Sequence, residues 1–110
     1  MPVPQNDIRD MIQAIRDRIV ERFHPDKIIL FGSHARGEAG PDSDVDILVV
    51  MDTENTRGKA NEIDLAFADR LVPMDIIVMT PEQFERQKDL IGTIVYDVVR
   101  EGRILYERAA

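Results

Sequence analysis

Cysteine is absent from this chain. No disulfide and no thiolate metal site can form, which suits a reducing compartment, and a cytoplasmic protein is expected. Long apolar runs are missing as well. None approaches the roughly 18 residues of a membrane-spanning helix, so no membrane association is expected. The opening Met1-Pro-Val-Pro-Gln-Asn-Asp7 has neither a basic n-region nor an apolar h-region, and no secretory leader is expected from it. Positive charge is also short, with 14 Lys and Arg against 21 Asp and Glu and a formal charge of −7. Such a surface does not grip a nucleic-acid backbone, and nucleic acid is not an expected partner. The local cluster Arg16, Arg18 and Arg22 reads as a solvated helix face before it reads as a site for a small acidic ligand.

What is present describes one globular domain over residues 1–110. Hydrophobic residues make up 44% and charged residues 32% of the 110, a balance that folds rather than stays disordered. A chain of this length buries about two-thirds of its unfolded surface. Ile8, Met11, Ile12, Ile15, Ile19 and Phe23 form a helical stripe over residues 6–23, with Asn6 as N-cap and His24-Pro25 as stop. Lys27–Phe31 and Ile47–Met51 read as buried strands, joined by a connector in which Ser33–Gly37 can make one helical turn. Ile63, Ala66, Phe67 and Leu71 mark a second helix ending before Pro73. Met74–Met79 is a third strand.

Thr80-Pro-Glu-Gln83 then carries a capping box with proline at the first helical position. Ile91, Ile94, Val95, Val98 and Val99 follow as another helical stripe, stopped by Gly102, before a short last strand over 103–106. The fold class expected is α/β (α+β), a small mixed sheet flanked by helices. The first two strands are joined too briefly for a crossover and should be antiparallel. The second and third, joined through a helix, should be parallel with a right-handed crossover.

The chemistry collects between the strands. Residues two apart in a strand share a face, so Asp44 and Asp46 point the same way, ahead of Leu48 and Val50. Asp75 breaks the third apolar run near its start. If the second and third strands are parallel neighbours, the three carboxylates converge. Three such anions in a partly desolvated place need a cation or a proton between them. Oxygen-only ligands favour magnesium or manganese over zinc. Taken singly each signal is bland: Asp-Xaa-Asp is usually a turn or cap, Gly-Ser a turn, and a lone Asp75 a strand-edge charge or an arginine's partner. Their combination is specific.

Gly32-Ser-His-Ala-Arg-Gly37, followed by Ser43-Asp-Val-Asp46 and by Asp75, resembles the signature of the nucleotidyltransferase superfamily that includes DNA polymerase beta. The short length resembles its minimal bacterial and archaeal members, and Arg103-Ile-Leu-Tyr-Glu107 is similar to the segment that closes them. The Gly, Ser and three Asp positions show no departure, while His34 stands where the family varies. The resemblance implies that Gly32 lets a nucleoside triphosphate approach the backbone. Ser33 and nearby amides then donate to its phosphates. For Arg36 two readings stand: a phosphate ligand or a salt bridge to Glu38 or Asp42. Gly37 and Gly40-Pro41 read as loop-shaping, and Ser43 as orienting the loop or capping Asp44.

The reaction implied is metal-dependent transfer of a nucleoside monophosphate, AMP from ATP in the implied case, to a hydroxyl. Asp44 and Asp46 would hold one ion and, with Asp75, a second. The chain is too small to supply an acceptor domain. The resemblance implies a small helical partner of the HEPN type, this chain being the antitoxin and a partner tyrosine the acceptor; a homo-oligomer is the other way to complete the site. Leu65, Ala68 and Val72 lie off the second stripe, as core of a helix covered on two sides or as part of a partner surface, with core the preferred reading. Two rival functions are a contact-only antitoxin with an idle site, and transfer to a small molecule or an RNA end.

Overall fold

A computed structural model of the chain describes residues 5–40, 42–69 and 72–109, the first three by backbone alone. Helix α1 (Gln5–Phe23) buries Ile12, Ile15 and Ile19, with Ile8, Met11 and Phe23 packed beside them. His24 turns the chain with a left-handed φ of 49°, and Pro25 behind it is fully buried. Asn6, expected as the N-cap, already lies within α1, which starts at Gln5, and Leu71 lies outside the described residues.

Strand β1 (Lys27–Phe31) runs into a single helical turn, α2 (Gly32–Arg36), before strand β2 (Val45–Val50). Helix α3 (Thr56–Leu65) leads to β3 (Met74–Met79), and α4 (Pro81–Gln87) and α5 (Ile94–Glu101) precede β4 (Arg103–Glu107). The strands pair in the order β3-β2-β1-β4. Both expected pairings hold: β1 is antiparallel to β2, and β2 is parallel to β3. β4 closes the other edge antiparallel to β1, with a register shift at Ile28/Ile29.

Alternation along the strands sends side chains to two apolar layers. Ile28, Leu30, Val45, Ile47 and Val49 meet α1 together with Ile63 of α3 and Phe67 just beyond it. Ile29, Leu48 and Val50 meet Phe84 of α4 and Val95 and Val98 of α5. Helices therefore cover both faces of the mixed sheet. The capping box at α4 is formed as expected: Thr80 and Gln83 exchange bonds of 3.0 and 3.1 Å.

Two expectations change. Ile91 does not belong to a helix and is 84% exposed. Gly92, at φ 96°, breaks the stripe, and α5 starts three residues later, where the Thr93 hydroxyl caps the Tyr96 amide at 3.2 Å. Only Val95 and Val98 of that stripe are buried in α5. Helix α3 ends at Leu65, so Ala66 and Phe67 follow in turns, though Phe67 remains buried. Leu65 is 73% exposed, which overturns the preferred core reading for it; Ala68 is exposed as well, while Val72 packs against the core.

Gly102 does stop α5, which ends at Glu101. Its φ of −78° is open to any residue, so it is no left-handed cap. Space is what excludes a side chain: a Cβ would stand 2.4 Å from the Val98 carbonyl oxygen, 2.7 Å from Ile29 Cγ2 and 2.9 Å from the Leu30 carbonyl oxygen. Replacing glycine at a permissive φ stabilises by about 0.4–1 kcal/mol through the unfolded chain, but overpacking costs about 1–3 kcal/mol. Two of the three contacts are backbone and cannot yield. Gly102→Ala should therefore lower stability by about 1–2 kcal/mol in urea unfolding. A midpoint equal to or above that of the parent would contradict the packing argument.

Candidate active site

Where β1 ends, the chain must turn at once into α2, and Gly32 takes that turn at φ 73°. A residue with a Cβ is strained in this left-handed region. A second constraint comes from across the sheet. A Cβ on Gly32 would lie 2.1 Å from Asp46 Oδ2, so the space over the glycine is already filled by a carboxylate. Ser33 stands half-buried in the first turn of α2. Phe31, at the N-cap, offers no side-chain acceptor to the leading amides of that turn.

Strand pairing brings the acids together. Asp46 lies opposite Phe31 in the antiparallel ladder and opposite Asp75 in the parallel one. Both aspartates alternate with residues of the α4/α5 layer, Leu48 and Val50 on one strand and Ile77 and Met79 on the other. Asp44 stands one residue ahead of β2 and, like Asp75, is exposed, whereas Asp46 is half-buried. The Asp46 carboxyl is pushed above the ordinary carboxylate value, first by desolvation, then by the charges of Asp75 and Asp44, with His34 and Arg36 pulling the other way. These residues share one electrostatic environment. Among the described residues no three His, Cys or acidic side chains stand close enough to enclose a metal ion as placed. Of the three carboxylates expected to converge, strand register places Asp46 beside Asp75, and with Asp44 they form no three-ligand group as placed; their oxygens are of the kind a hard divalent cation takes.

Arg36 makes the alternative contact weighed for it, and one more. Its Nε is 3.2 Å from Glu38, and its guanidinium reaches Glu101 at the end of α5 at 3.8 Å; the described bridges do not include Asp42. Ser43 orients the loop, accepting from the Gly40 amide at 2.8 Å and donating its own amide to the Gly40 carbonyl at 3.2 Å. Gly37 closes α2 in the left-handed conformation, with φ 74°. Sequence reasoning passed over His34, whose Nε2 lies 3.3 Å from the Ser43 carbonyl, and Glu101, whose pairing with Arg36 spans helices far apart in sequence and leaves no local signal. A concavity of about 160 Å³, lined by Met11, Ile15, Arg18, Phe67 and Val72 among others, lies on the opposite, α1/α3 side of the sheet. The acidic mouth itself is open.

The nucleotidyltransferase domain family matches the chain over residues 12–105. The Methanocaldococcus jannaschii protein MJ0604, provisionally named a protein adenylyltransferase, is 33% identical over 101 residues, covering 90% of this chain and 94% of its own length. A solved toxin–antitoxin structure with AMP-PNP superposes at a TM-score of 0.62 and 21% identity, over 87% of this chain and 73% of that one. A complex of the tri-AMPylated Shewanella oneidensis HEPN toxin with its MNT antitoxin gives 0.50 and 20%, over 87% of this chain and 72% of that one. At such identities the two structures show a shared fold. The family match and the relative carry the assignment: the chain belongs to the nucleotidyltransferase domain family.

Proposed function

We propose that this nucleotidyltransferase moves AMP from ATP onto a hydroxyl of a partner protein, a tyrosine of a small helical HEPN-type toxin, and acts as its antitoxin. The observation that carries the reading is the in-register placement of Asp46 beside Asp75, backed by Gly32. It is supported by a relative named for protein adenylylation and by structural neighbours that are toxin–antitoxin complexes, one with AMP-PNP and one with an AMPylated toxin. An open mouth with Asp44 and Asp75 exposed suits an acceptor as bulky as a protein.

In this reading the Ser33 hydroxyl and the leading amides of α2 donate to the triphosphate. Arg36 exchanges a carboxylate partner for phosphate. Asp75 accepts the proton of the attacking hydroxyl as it adds to the α-phosphorus and pyrophosphate departs. Two magnesium or manganese ions held by Asp44, Asp46 and Asp75 would, when bound, neutralise phosphate charge and lower the pKa of that hydroxyl. Alignment and charge neutralisation supply most of the acceleration. A contact-only antitoxin is the second reading, favoured by the open spacing of the acids and by Arg36 being held by Glu38 and Glu101.

Mass spectrometry of the partner after co-expression separates the two, since an added AMP of about 329 Da appears only under transfer. Asp44→Asn, Asp46→Asn and Asp75→Asn should each cut transfer at least about 100-fold, because each removes an anionic ligand or the base. Full transfer by any of them would end the proposal. Gly32→Ala should also lower transfer, because its Cβ would stand 2.1 Å from Asp46 Oδ2 and push that carboxylate aside at a strained, positive φ.

Electrostatics gives a second check. The folded-state pKa of Asp46 is raised, so its protonated form favours folding. That contribution is present in acid and is lost as pH rises through the raised value, leaving a cost at neutral pH. Asp46→Asn should therefore raise Tm at pH 7, by a margin that shrinks toward pH 4. Manganese should raise the Tm of the parent and not of the variant. A lower Tm for Asp46→Asn at pH 7 would show that the carboxylate is held by favourable bonds instead.

A further inference from the structure

His34 is spent on neither the core nor the phosphates in the reading above, yet it bridges two parts of the site. It sits mid-turn in α2, half-buried, and its Nε2 reaches the Ser43 carbonyl at 3.3 Å across nine residues of sequence. Ser43 closes the turn with Gly40 through its hydroxyl and its amide, and the next residue is Asp44. Val45, directly after it, is fixed by the hydrogen bond its amide donates to the Pro73 carbonyl at 2.9 Å. Asp44 therefore lies between a strand start that is held and a turn that is exposed on most of its length. A carbonyl only accepts, so a bond here requires a ring N–H at Nε2.

We infer that His34 is a positioning residue whose ring N–H clasps the Ser43 carbonyl and holds Asp44 at the mouth where divalent cation and triphosphate bind. The inference rests on the proposed metal-dependent transfer for its consequence, but the clasp itself is a statement about the backbone. Second-layer bonds that orient a ligand typically change metal affinity 10–100-fold when removed. The side chain acts through Asp44, without touching the reacting atoms.

Two variants isolate the donor. His34→Gln places an amide N–H where Nε2 stood, and His34→Phe keeps a ring without a donor. Manganese binding by the full chain with AMP-PNP, followed by electron paramagnetic resonance, should weaken about tenfold in His34→Phe and by less than about twofold in His34→Gln, with Tm unchanged. Amide exchange at Ser43 and Asp44, read by nitrogen-15 NMR without metal, should quicken in His34→Phe alone. Equal exchange in the parent and His34→Phe would overturn the clasp whatever happens to manganese. Equal manganese affinity in those two would overturn its role in the site. A parent that takes up no manganese, with exchange still faster in His34→Phe, would sink the transfer reading and leave the clasp standing.

Discussion

Backbone pairing forces like charges together at one end of this sheet. β2 is hydrogen-bonded on both sides, to β1 and to β3, and its apolar residues Val45, Ile47, Leu48, Val49 and Val50 are buried against two helical layers. A slip of one residue against either neighbour would turn that whole set to the wrong face. The register is therefore held by the core. Asp46 must then stand beside Asp75, and the repulsion between them is a local cost that the surrounding burial outweighs. Each buried aliphatic side chain contributes about 1.5–3 kcal/mol, and several depend on that register.

The same constraint explains the two glycines that matter most. Gly32 lies against the Asp46 carboxylate, and Gly102 lies against the backbone of β1 and α5. One leaves room for an acid, the other for close packing of a helix end on the sheet. Between them they define how near the α4/α5 layer and the α2 turn can come to the strands. His34, Arg36, Glu38 and Glu101 then dress that rim with polar contacts.

Much of this is legible in the sequence alone. Period-two alternation put Asp44 and Asp46 ahead of Leu48 and Val50, connector length gave both strand directions, and Thr80-Pro-Glu-Gln83 announced its own capping box. What escaped depended on contacts remote in sequence or on local chemistry that mimics something else. Ile91 matched a helical stripe by spacing, and only the turn at Gly92, with Thr93 as cap, separates it from α5. Gly102 had the look of a conformational stop, while its reason is the proximity of Ile29 and Leu30. The bridge from Arg36 to Glu101 joins residues that no pattern links. Gly32 reads in the sequence as room for a ligand, whereas the place a Cβ would take lies against the Asp46 carboxylate.

The solvent exposure of Asp44 and Asp75 carries one more implication. With the acids at an uncovered rim, bulk water has the same access to an attacked phosphorus as any larger nucleophile. Under the proposed transfer, selectivity against water would have to come from the surface that arrives, with the acceptor supplying the dry enclosure that a closing lid provides in other enzymes.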